Sequence, residues 1–87
     1  MKLKSYTPRP NANAMQLTTN DLSVWFSYST PIAFFHPDCG IVVRENVWGP
    51  TTGKHIGIVE RSFGVDRSSR VESSRFAELI DSFKAAR

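Results

Sequence analysis

Phe76, Leu79, Ile80 and Phe83 recur at i, i+3, i+4 and i+7 near the end of the chain, which places four large apolar side chains on one face of a helix. A helix with such a stripe needs an apolar surface to lie on, because a short isolated helix is marginal in water. Ser73 or Ser74 supplies a natural cap, Glu72 and Glu78 stand toward the start, and Lys84 and Arg87 toward the end, as the helix dipole favours. The spacing predicts a helix over residues 73–86.

The surface for it is read upstream. Leu22, Val24, Phe26 and Tyr28 alternate with Ser23, Trp25, Ser27 and Ser29, the period of a strand with one apolar face and one mostly serine face. Ser29-Thr30-Pro31 breaks the run, and Ile32-Ala33-Phe34-Phe35 resumes it. His36-Pro37-Asp38-Cys39-Gly40 then carries turn chemistry, and a β-branched return strand over residues 41–48 ends at Gly49-Pro50. These segments predict an α+β fold: an antiparallel meander of three or four strands covered by the C-terminal helix. After Pro50 a threonine can cap a short helix carrying Ile56 with Val59 or Ile58 inward, followed by a loop over 60–70. Residues 1–14, with two prolines and the run Asn11-Ala12-Asn13-Ala14, are expected as an irregular or edge-strand arm.

An 87-residue chain with 40% hydrophobic and 22% charged residues fits one small domain, residues 1–87, and is not of disordered composition. Cys39 is the single cysteine and pairs with nothing inside the chain, which points to a reducing compartment. No apolar run suits a signal peptide or membrane span, so a cytoplasmic, membrane-free protein is expected. The net charge of +3 and isoelectric point near 9.4 give a mild attraction to anions. The basic residues are dispersed, and Arg61, Arg67, Arg70 and Arg75 are interleaved with Glu60, Asp66 and Glu72.

Chemistry-bearing motifs are sparse. Gly49-Pro50-Thr51-Thr52-Gly53-Lys54-His55 lacks the spacing of a phosphate-binding P-loop, Pro50 removes an amide donor, and His55 stands where the hydroxyl belongs. A weaker version survives: at a helix start the free amides, Thr51, Thr52, Lys54 and His55 suit an anion, against the plainer reading of a threonine cap with Lys54 and His55 in solvent. Zinc would need about four ligands, for which His36, Cys39, His55 and a carboxylate such as Asp38 are the candidates, but His36-x-x-Cys39 is a single half-site, and no motif surrounds Cys39 as a nucleophile. No metal, cofactor or enzymatic activity is expected. Trp25 and Trp48 are read first as core and second as stacking platforms.

Phe26-Ser27-Tyr28-Ser29-Thr30-Pro31-Ile32-Ala33-Phe34, followed by Asn46-Val47-Trp48-Gly49-Pro50-Thr51-Thr52-Gly53-Lys54-His55, resembles small uncharacterised proteins of bacteriophages and mobile elements. In these a SYxTPIA strand precedes an N-aromatic-x-x-TT-G/S-KH segment. The likeness spans roughly residues 22–58, with Gly57 where that pattern often has asparagine. It implies a phage accessory factor in the bacterial host and no particular activity.

Two functional readings follow. In the first, Thr51, Thr52, Lys54 and His55, with Arg44 or Tyr28 from the sheet, hold a phosphate-bearing ligand such as a nucleotide or nucleic acid. In the second, Trp25, Phe35 or Trp48 anchors a host protein on an exposed sheet face or edge. A shared concave cluster of Tyr28, Arg44, Thr52, Lys54 and His55 favours the first; dispersal favours the plainer cap.

Overall fold

The computed structural model describes residues 2–7, 13–19 and 21–85, with side chains described as far as Phe83. Half of the Asn11–Ala14 run, the side chain of Lys84, and Arg87 lie outside the described residues. The architecture is α+β with five strands: β1 (Lys2–Ser5), β2 (Ala14–Thr18), β3 (Ser23–Ser27), β4 (Thr30–His36) and β5 (Gly40–Val43). They form one antiparallel sheet in the order β1-β2-β3-β4-β5. Two helices follow, α1 (Pro50–Phe63) and α2 (Ser73–Ala85), separated by a 3₁₀ turn over Arg67–Ser69.

The meander is wider than expected because the N-terminal arm pairs as the edge strand β1 and the stretch beyond it, Ala14–Thr18, forms β2. In β2, Met15 and Leu17 pair with Phe26 and Val24, whereas Gln16 pairs with Trp25. The return strand stops at Val43 rather than near Trp48; beyond it Arg44 makes a parallel bridge with Val71, through Val71 N–H to Val43 O at 2.8 Å and Glu45 N–H to Val71 O at 2.9 Å.

The sheet is packed on both faces. Trp25, Ala33 and Val43 face α1 and meet Ile56 and Val59, while Val24 and Phe34 face α2 and meet Phe76 and Ile80. A bulge between β3 and β4 sets one side of this arrangement: Trp25 pairs with Ala33 but Phe26 with Pro31, so Ile32 is an extra residue. It packs with Ala33 in the α1 core instead of alternating away from it. Of the serine-rich face, Trp25 and Ser27 are buried under α1, while Ser23 is half-buried and Ser29 is exposed.

The segment after Pro50 is a full helix of fourteen residues, not a short one, and it takes in residues 60–63 of the expected loop. Pro50 suits its first turn, where an amide would be unpaired anyway. Gly64 ends it at φ 65°, a left-handed conformation glycine adopts without a Cβ clash, with its N–H on Glu60 O. The inward face of α1 is Thr52, His55, Ile56, Val59 and Glu60. Glu60 meets Arg70 through two hydrogen bonds of 2.8 and 2.9 Å, which tie the segment after α1 back to the helix.

The C-terminal helix carries the expected face: Phe76 and Ile80 are buried, with Leu79 and Phe83 packed beside them. Its described extent ends at Ala85. The amide of Ser73 at its start is accepted by the Glu45 carboxylate at 2.8 Å, so a residue from the sheet side serves this helix end.

Candidate functional site

The β3–β4 connection is a two-residue hairpin loop, Tyr28-Ser29, between the paired residues Ser27 and Thr30. Tyr28 has φ 59°, a left-handed conformation in which glycine is the usual occupant and a bulky residue is strained. Its N–H is held by Asn13 O at 2.7 Å, and its ring remains 54% exposed. The N-terminal part of α1 sits over this hairpin, because Thr52 and His55 reach down to Ser27.

That contact is a buried polar chain. Ser27 Oγ lies 2.7 Å from His55 Nδ1 and 3.0 Å from Thr52 Oγ1, and all three residues are buried. One arrangement of protons serves every partner: Thr52 Oγ1–H donates to Ser27 Oγ, and Ser27 Oγ–H donates to an unprotonated His55 Nδ1. Burial pushes the His55 pKa down, which keeps the ring neutral as this chain requires. Tyr6 sets an edge against the imidazole at 6.1 Å and donates its hydroxyl to Phe26 O at 2.9 Å; burial holds that phenol protonated well above its ordinary range. Tyr28 tilts over the other side at 6.3 Å.

A serine on an imidazole has the pairing of a nucleophile and its base. Ser27 is only 2% exposed, however, and is fully engaged, so the geometry makes it a pin between sheet and helix. The expected threonine cap is absent as well: Gly49 occupies the cap position with no side-chain hydrogen bond, and Thr52 bonds to Ser27 instead.

Arg44, at the end of β5, lies toward α2. Its guanidinium is 4.8 Å from the centroid of Trp48 and 5.4 Å from that of Phe76, and it donates to Pro31 O at 3.3 Å and Ser73 Oγ at 3.4 Å. Trp48 is 40% exposed, with its amide held by Asn46 Oδ1 at 3.0 Å and Val47 exposed beside it. The loop leads straight into the start of α1, where Thr51 and Lys54 face solvent.

The six residues of the expected phosphate site are thus divided. Thr52 and His55 are withdrawn beneath the surface, Thr51 and Lys54 stand above them, Tyr28 projects from the hairpin, and Arg44 reaches the same end of the sheet from the α2 side. Of the aromatic anchors, Trp25 is buried under α1, Phe35 is half-buried and stacked on Phe63, and Trp48 is 40% exposed. Among the described residues no group of three or more His, Cys, Asp or Glu side chains is placed to hold a metal, and no helix is long and apolar enough to cross a membrane.

Sequence reasoning missed Ser27, which was read only as part of a mostly serine strand face. Its spacing of 25 residues from Thr52 leaves no local signal.

The chain belongs to a family of unknown function, DUF8033, whose pattern it matches over residues 1–77. No curated protein and no solved structure matches it.

Proposed function

We propose that this member of the DUF8033 family is a small non-catalytic binding protein, an accessory factor of a bacteriophage or mobile element acting in the host cytoplasm. Its ligand is phosphate-bearing, a nucleotide or single-stranded nucleic acid, taken at the hairpin end of the sheet. The carrying observation is Arg44 stacked over the half-open Trp48 ring, directly before the start of α1. An exposed aromatic accepts the face of any base, and a guanidinium fixed beside it pairs with phosphate. Tyr28 adds a second exposed ring at the same end, held in a conformation that costs about 1–2 kcal/mol for a residue with a Cβ. Lys54 and the amides at an α1 start without a side-chain cap add positive potential. Thr52 and His55 support this surface from below through Ser27.

Calorimetric titration with short oligonucleotides and mononucleotides tests the proposal. Binding should weaken steeply with added salt and be lost in Trp48→Ala, with Arg44→Lys also impaired because lysine cannot reproduce the planar stack. Absence of heat at millimolar ligand removes the proposal. A second reading, capture of a host protein, is favoured by the exposed pair Val47 and Trp48. A partner bound through them would show little salt dependence.

A further inference from the structure

The two helices do not cover the sheet evenly. The α1 core draws on Trp25, Ile32, Ala33 and Val43, which come from β3, β4 and β5. On that face β1 and β2 present Lys4 paired with Gln16 beyond the flank of the helix. The result is a groove of about 450 Å³ between the first hairpin and the end of α1, lined by Lys4, Ser5, Tyr6, Thr7, Gln16, Trp25, Ser62 and Phe63. Its volume lies within the range of small-molecule sites.

Its two walls differ in chemistry. On the helix side Phe63 is 40% exposed; one side of its ring stacks on Phe35, with centroids 5.9 Å apart and planes 20° apart, and Trp25 meets it in a T at 5.3 Å. That network fixes the orientation of a ring still open to solvent, which suits a planar ligand. On the strand side Lys4 is the one charged residue in the lining, and it is exposed. Gln16 and the serine and threonine hydroxyls lie between, and the Tyr6 hydroxyl is committed to Phe26 O. The carbonyl end of α1 beside Phe63 repels an anion, so a negative group is directed across the groove to Lys4.

We infer that this groove is a second binding site, distinct from the hairpin end, for a small planar organic anion whose ring lies on Phe63 and whose charge meets Lys4. The shared chemistry is a flat ring carrying a phosphate or a carboxylate. Lys4 on β1 lies at the opposite edge of the sheet from β5, which Arg44 follows, and Phe63 closes α1 at the end away from Trp48, which precedes its start. The two sites are therefore separable by mutation.

The test is a titration of the full chain, followed by amide chemical shifts, with adenosine 5′-monophosphate in one arm and benzoate in the other. The expected result in at least one arm is saturable perturbation at Lys4, Gln16, Ser62 and Phe63, with the arm that responds naming the anion. Lys4→Ala, a surface change, should weaken binding about tenfold at low salt, and Phe63→Leu should weaken it while keeping an apolar side chain against Trp25. Trp48→Ala should leave it unchanged. No perturbation of the groove amides at millimolar probe in both arms overturns the inference. So does binding that survives Lys4→Ala and Phe63→Leu but disappears in Trp48→Ala, which would assign the ligand to the hairpin end alone.

Discussion

Replacing Ser27 by alanine removes one oxygen and strands two buried groups. His55 Nδ1 loses its donor at 2.7 Å and Thr52 Oγ1 loses its acceptor at 3.0 Å, in a region where all three residues are at most 7% exposed. Each unsatisfied buried group costs about 1–3 kcal/mol, so the substitution should cost about 3 kcal/mol. A chain of this length has a total stability of about 4–13 kcal/mol, and the loss should lower Tm by about 12–24 °C. Thr52→Val leaves the Ser27 to His55 bond intact and should cost only about 1 kcal/mol. Urea unfolding followed by circular dichroism measures both. Adding His55→Leu to Ser27→Ala should recover about 1 kcal/mol, because an apolar pair replaces a broken polar one. A loss below about 0.5 kcal/mol in Ser27→Ala, or strictly additive costs in the double variant, would refute the pin and leave the three contacts as incidental.

Acid should act through the same residue. The folded protein holds His55 neutral below its ordinary pKa of 6.5, whereas the unfolded chain takes up the proton there. The stability it contributes is thus complete above that value and is lost as the pH falls below it, and urea midpoints that decline with acid in the parent but less in His55→Leu would show this. Tyr28→Gly should raise stability by about 0.5 kcal/mol, since relief of the left-handed strain outweighs the backbone entropy of glycine, while oligonucleotide binding falls; a lower urea midpoint would mean the ring is held for packing on His55. Gly57→Ala should stabilise by about 0.5–1 kcal/mol through helix propensity, because its new Cβ meets only the flexible end of Arg61 at 3.4 Å. Gly53→Ala should gain less in urea unfolding, as its Cβ would come within 2.9 Å of Asn46 Nδ2.

What could be read from residues alone followed the strength of local pattern. The Phe76, Leu79, Ile80 and Phe83 stripe carries a helix period in its apolar residues, and α2 presents that face. The β3 to β5 meander was legible through alternation and the turn residues 36–40. Strand β2 escaped notice because only Met15 and Leu17 mark its period, too short a signal next to an irregular arm. The length of α1 was hidden by Gly53 and Gly57, and by three polar residues on its inward face: an apolar count sees Ile56 and Val59, not Thr52, His55 and Glu60. Packing on the sheet overrides that weak propensity. The residues singled out for ligand chemistry are divided, and which of them sink beneath the surface depends on Ser27, whose role only tertiary contact reveals.

The unbroken strand order has a kinetic consequence. Because every strand neighbours the one before it in the chain, each ladder can zip from its own turn, with no long loop to close before hydrogen bonds repay the entropy. The separations of 25 to 28 residues that join Ser27 and Glu45 to the helices are the late, slow closures. Destabilising those joints should therefore hasten unfolding far more than it delays folding, so the lifetime of the assembled molecule resides in its helix anchors and its speed of formation in its hairpins.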